Sequence, residues 1–145
     1  MDLILWRHAD AEDGAPDLAR RLTPRGREQA GRVAAWIREH VPAGFEIVAS
    51  PAVRAHQTAE ALNLPFDTSP LLAPGAPVPA LLTVAGWPDR QTALVLVGHQ
   101  PDLGRAAAFL VSARDGEWQI DKGALWWIAG GSHPFVRAVI SPDLL

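Results

Sequence analysis

Leu3-Ile4-Leu5-Trp6-Arg7-His8-Ala9-Asp10 is the stretch on which the reading of this chain turns. Its apolar run is continuous rather than alternating, the pattern of a strand buried on both faces of a sheet. An arginine and a histidine follow where the chain must leave that sheet. In open α/β sheets, ligands sit in the crevice beyond the carboxyl ends of the strands. A guanidinium fork grips two oxygens of a phosphoryl group at once, and a neutral imidazole can attack phosphorus. Taken alone, Arg7-His8 reads as a solvated strand end; the rest of the chain reverses that reading.

Working outward, the polar loop from Asp10 to Arg21 leads to Thr23-Pro24, an N-cap followed by proline at the first helical position. Ala30, Val33, Ala34, Ile37 and Val41 then recur at helical spacing, so one face of this helix is buried. His40 falls in its last turn, where a partial positive charge is favourable. Phe45 to Ala49 reads as a second strand, with Ser50-Pro51 as the cap and first residue of a helix running to about Asn63. Arg54 then lies in that helix's first turn, where a cation opposes the dipole and an anion nearby is expected. His56 is read as a surface residue on another face. The connection Leu64–Thr92 is rich in proline and holds one short helix, Pro79 to Ala85, closed by Gly86.

Ala93 to Val97 is the clearest strand in the chain, and Gly98-His99-Gln100-Pro101 follows it before another helix. A glycine there lets backbone approach a ligand closely. Ala124–Ala129 and Val136–Ile140 read as an antiparallel hairpin joined at the five residues Gly130-Gly131-Ser132-His133-Pro134, with His133 a turn residue. The adjacent Trp126 and Trp127 must face opposite sides of their strand.

Composition narrows the function. The chain has 145 residues, close to the ~150 expected of one domain, so one domain spanning 1–145 is the expectation. A net charge of −3 argues against non-specific nucleic-acid binding. The absence of cysteine excludes disulfides, zinc–thiolate sites and thiol nucleophiles. Asp2 and Trp6-Arg7-His8 interrupt any signal-peptide core, and no apolar run approaches the ~20 residues of a membrane span. A cytoplasmic protein without membrane contact, monomeric by default, is expected.

Three strands thus end alike: in Arg7-His8, in Ser50-Pro51-Ala52-Val53-Arg54, and in Gly98-His99. Parallel alignment would gather two arginines and two histidines at one sheet edge, beside helix N-termini that favour anions. Such a set suits phosphoryl transfer with no metal and no cofactor. With Leu22-Thr23-Pro24-Arg25-Gly26, Arg54-Ala55-His56-Gln57-Thr58-Ala59 and Val97-Gly98-His99-Gln100-Pro101 added, the chain resembles the histidine phosphatase superfamily. These motifs run in the family's order over the first three-quarters of the sequence. The small phosphohistidine phosphatase branch typified by SixA is the branch it is most similar to, with Arg20 before Leu22-Thr23 and Arg21 where that branch often has proline.

The resemblance implies a three-layer α/β/α sandwich of phosphoglycerate mutase-like type, with a mostly parallel central sheet and the antiparallel hairpin at its end. It implies His8 as nucleophile, Arg7, Arg54 and His99 as catalytic groups holding the phosphoryl oxygens, and Arg20 as a further phosphate contact. Lys122 is expected to be solvated. Larger members of the superfamily donate a proton from a glutamate in an insertion, but no glutamate lies between Glu60 and Glu117. Asp10, Asp67, Asp89 and Asp102 are the acids left as candidates on paper. An imidazole leaving group needs less protonation than an alkoxide, so phosphohistidine on a signalling or phosphotransfer protein is the expected substrate. The alternatives are a phosphomonoesterase for a small phosphate ester and a non-catalytic phosphate-binding module; mutase activity ranks last.

Overall fold

The computed structural model describes residues 1–145, and one six-stranded sheet runs through it. The strands are β1 (Asp2–Arg7), β2 (Glu46–Ala49), β3 (Asp67–Thr68), β4 (Leu94–Gly98), β5 (Leu125–Ala129) and β6 (Phe135–Ile140). Their spatial order is β3-β2-β4-β1-β5-β6. The first four are parallel, β5 runs antiparallel to β1, and β6 runs antiparallel to β5. The helices are α1 (Pro24–His40), α2 (Val53–Glu60), α3 (Val78–Ala85) and α4 (Asp102–Ser112).

Period-two alternation between two covered faces explains why Leu3–Trp6 of β1 and Leu94–Val97 of β4 are all apolar. Ile4, Trp6, Val95 and Val97 point to one face and pack with Ala30, Val33 and Ile37 of α1 and Ala55 and Ala59 of α2. Leu3, Leu5, Leu94 and Leu96 point to the other, against Leu81 of α3 and Leu103, Ala107 and Leu110 of α4. The result is the α/β/α layering expected from the sequence. Trp127 joins the first core and Trp126 packs against the second, as adjacent strand residues must. No helix is long and apolar enough to cross a membrane.

Two close approaches set the sheet's carboxyl edge. A Cβ on Gly26 would stand 2.0 Å from the Asp10 carbonyl oxygen, so α1 lies directly against the chain leaving β1. A Cβ on Gly104 would stand 1.9 Å from the Trp118 carbonyl, which draws α4 against the segment that leads into β5. Thr23 caps α1 as the sequence indicates, its hydroxyl accepting from the Gly26 amide at 3.0 Å.

The second cap differs from expectation. Ser50 does not cap α2; the helix begins at Val53 with Ala52 in the N-cap position, and it ends at Glu60 rather than near Asn63. Asn63 has a φ of 54°, outside helical backbone. The Ser50 oxygen accepts instead from the Ala52 amide at 3.2 Å, and His99 Nε2 lies 2.7 Å from it. The short strand β3, with both residues exposed, carried no apolar signal in the sequence.

Candidate active site

The carboxyl ends of β1, β2 and β4 lie side by side. Trp6 pairs with Val97 and Arg7 with Gly98, while Ala49 also pairs with Val97. The next residues of each strand are thereby forced together. His8 and His99 face each other with ring centroids 5.3 Å apart, and Arg54 reaches both from the first turn of α2. Together with Arg7, Arg20, Gln100 and Lys122 they line an open cleft of about 310 Å³.

Each group is held from below. The His8 ring nitrogen Nδ1 lies 2.7 Å from the Ala9 carbonyl, which can only accept, so Nδ1 carries the proton. Nε2 then keeps its lone pair, and the Arg54 Nε–H donates to it at 3.3 Å. Thr58 supports this turn: it accepts from the Ala9 amide at 3.1 Å and donates to the Arg54 carbonyl at 2.7 Å. Arg7 donates to the Ile120 carbonyl at 2.8 Å, and its buried Nε–H has no partner. His99 presents Nδ1 to Arg54 at 3.4 Å, so its Nε2–H donates to Ser50.

Burial decides the charge of the imidazoles. Desolvation, reinforced by the charges of Arg54, Arg7 and Arg20 against a raising contribution from the Ala9 carbonyl, pushes His8 down to about 4. Desolvation, then the neighbouring His8 and Arg54, pushes His99 down to about 3. Both rings are neutral at physiological pH, and a neutral imidazole is the nucleophilic form.

A pH dependence of stability follows. Between pH 6.5 and about 4 the unfolded chain binds a proton at each of these histidines that the folded chain does not. Stability must therefore fall as pH drops through that window, by about 1.4 kcal/mol per pH unit for each imidazole. Urea unfolding at pH 7 and pH 5 should show the loss, and His8→Gln combined with His99→Gln should remove it. An identical pH profile in the double variant would show that other groups control acid stability.

The acids were the least legible part. Asp10 is tied to Thr23 and Lys122, whose hydrogen bonds hold its carboxyl below the usual range. Lys122, expected to be solvated, is half exposed yet lines the cleft and pairs with Asp10 at 3.0 Å. Asp67 and Asp89 lie on exposed chain away from the cleft. Asp102 is buried and accepts from the amides of Gly75 and Ala76, while burial raises its carboxyl.

The anion that Arg54 called for is Asp17, which none of these readings singled out. It sits on an exposed 3₁₀ turn, Asp17–Ala19. Its backbone carbonyl accepts from Arg54 NH1 at 2.8 Å and its carboxylate Oδ2 from Arg54 NH2 at 3.1 Å. Arg20 donates to the other oxygen, Oδ1, at 3.1 Å from Nε. Burial works against ionisation of Asp17, but the hydrogen bonds and charges of Arg54 and Arg20 outweigh it and hold the carboxyl below its usual range. The signal was a cation in a helix's first turn; nothing local separated Asp17 from Glu12 or Asp13 as its partner.

Of the remaining histidines, His40 stacks on Trp36, His56 bonds Thr68, and His133 lies in the β5–β6 connection, none of them lining the cleft. No group of three or more His, Asp or Glu side chains is placed to hold a metal ion.

The model of the histidine phosphatase superfamily, branch 1, matches residues 3–75 of the chain. The protein histidine phosphatase SixA in complex with tungstate superposes with a TM-score of 0.87 at 24% identity, over 99% of each chain. A SixA protein from Nakamurella multipartitia superposes at 0.82 with 26% identity, over 97% of this chain and 95% of that one. Phosphoserine phosphatase from Entamoeba histolytica, in complex with phosphoserine, reaches 0.74 at 18% identity, over 99% and 98%.

Proposed function

The chain belongs to the histidine phosphatase superfamily, and from that membership we propose that it hydrolyses phosphohistidine on a phosphorylated protein, with His8 as nucleophile. His8 Nε2 attacks phosphorus, the P–N bond to the substrate imidazole breaks, and the phosphoryl group resides on His8. Arg7 and Arg54 hold the equatorial oxygens as charge spreads over them. A phosphoryl dianion in the cleft favours protonation of His99, which then donates to a third oxygen. Water attacks phospho-His8, its proton passes to solvent, inorganic phosphate leaves, and His8 returns neutral. Arg20 offers a further cation at the rim.

The observation that carries the phosphohistidine reading is the state of the carboxyls. Asp17 and Asp10 are both engaged by cations of the cleft, Asp17 by Arg54 and Arg20 and Asp10 by Lys122, so neither is free to hand a proton to an alkoxide, and Asp13 is the one carboxyl that lines the cleft itself. An imidazole leaves as a neutral ring once its distal nitrogen takes a proton from solvent. The open cleft also suits a residue presented on a protein surface.

A small phosphate ester is the second reading, favoured by the likeness to a phosphoserine phosphatase. A panel at neutral pH discriminates: a phosphohistidine protein, phosphoserine and an aryl phosphate, each with and without EDTA. The expected result is kcat/KM for the phosphohistidine protein at least about 100-fold above phosphoserine, the gap a missing proton donor leaves, and no loss in EDTA. Equal rates on phosphoserine would favour the ester reading. Loss of activity in EDTA, restored by one divalent ion, would overturn the mechanism.

A further inference from the structure

Arg54 is almost wholly buried, with 4% of its side chain exposed, yet its carboxylate partner Asp17 is 56% exposed. The turn that carries Asp17 has no buried residue of its own. What docks it is the pair of arginines: Arg54 takes its carbonyl and one carboxylate oxygen, and Arg20 takes the other oxygen. Both arginines line the cleft. The Arg54 NH2 that binds Asp17 also lies 3.4 Å from His99 Nδ1, so the guanidinium faces the cleft and the Asp17 turn at once. One carboxylate thus bridges two guanidiniums in the way two oxygens of a phosphoryl group would.

We propose that Asp17 is a resident anion that tetrahedral oxyanions displace, so that substrate binds by taking Arg54 and Arg20 from it and inorganic phosphate is expelled when it returns. This inference rests on the phosphatase reading above and adds a device for releasing product. An exposed, single-turn segment can give up such a contact cheaply, whereas a buried carboxylate could not. In the free protein the same contact neutralises a cation that would otherwise sit buried and unpaired beside two neutral imidazoles.

The test is calorimetric titration of inorganic phosphate into the wild-type chain, Asp17→Asn and Asp13→Asn, at physiological ionic strength. Asp13 lines the same cleft and bonds neither arginine, so it reports the effect of one lost charge without displacement. Asp17→Asn is expected to bind phosphate about tenfold more tightly, and Asp13→Asn less than about threefold more tightly. KM and the inhibition constant for phosphate should fall in parallel for Asp17→Asn, and Asp17→Ala should change them in the same direction. A gain for Asp17→Asn no larger than that for Asp13→Asn would overturn the inference, since a field effect would then suffice. Unchanged or weaker binding would overturn it too, making Asp17 a brace for Arg54. Either outcome with wild-type turnover intact leaves the phosphatase reading standing. Absence of phosphate binding to all three proteins would remove both.

Discussion

Replacing His8 by alanine is expected to abolish turnover, by more than about 10⁴-fold, and with it the covalent phospho-enzyme. His8 is the imidazole whose Nδ1–H is committed to a backbone carbonyl, leaving Nε2 unprotonated beside a guanidinium, the state the proposed nucleophile needs. His99 differs: its Nε2 is engaged by Ser50, and its Nδ1 faces Arg54 at the longer distance of 3.4 Å. Phosphorus bonded to imidazole is acid-labile and stable to alkali, so the intermediate must be trapped by denaturation in base. The label should map to the peptide containing His8. His99→Ala should retain some labelling and lose about 10²- to 10³-fold in kcat, the usual cost of one transition-state donor. Label on His99 that persists in His8→Ala would reverse the two roles.

Arg54→Ala is expected to lower kcat/KM by on the order of 10³-fold or more. This one guanidinium touches His8, His99 and Asp17, so in the proposed mechanism its loss removes an oxyanion donor and the group bonded to the His8 lone pair. Arg54→Lys should recover only a small part, because an ammonium cannot span partners that a planar fork reaches at once. Thermal unfolding separates this from a folding defect. In the Ala variant Asp17 is left at the exposed surface, where water solvates it, and His8 and His99 stay neutral, so no buried charge is stranded. A variant that melts like the wild type and retains more than about a tenth of its activity would exclude Arg54 from transition-state stabilisation.

The sequence by itself determined the layers and the convergence. Continuous apolar runs at Leu3–Trp6 and Leu94–Val97 have no polar face to leave in water, so they had to become central strands covered on both sides. Because parallel strands end on the same edge, residues following each run were bound to meet, and Arg7, His8, Arg54 and His99 did. Thr23-Pro24 and Gly86 marked helix ends because cap and left-handed backbone preferences are local.

Tertiary structure alone decided which polar partners won. Ser50 had the local credentials of an N-cap, but the helix starts at Val53, and the buried Ser50 oxygen holds both the Ala52 amide at 3.2 Å and the His99 ring at 2.7 Å. Lys122 looked solvated until Gly123, donating to the His8 carbonyl and accepting from the Trp6 indole, brought the segment before β5 over the cleft. Asp17 was one of several acids in a polar loop, and no periodicity distinguishes a carboxylate facing solvent from one facing a guanidinium 37 residues away. Charge pairing across a fold depends on where the backbone has already been carried by its apolar residues. The hydrophobic pattern therefore wrote the fold and the meeting of the cations, and the packed structure chose Asp17 as the carboxylate that pairs with Arg54 and Arg20.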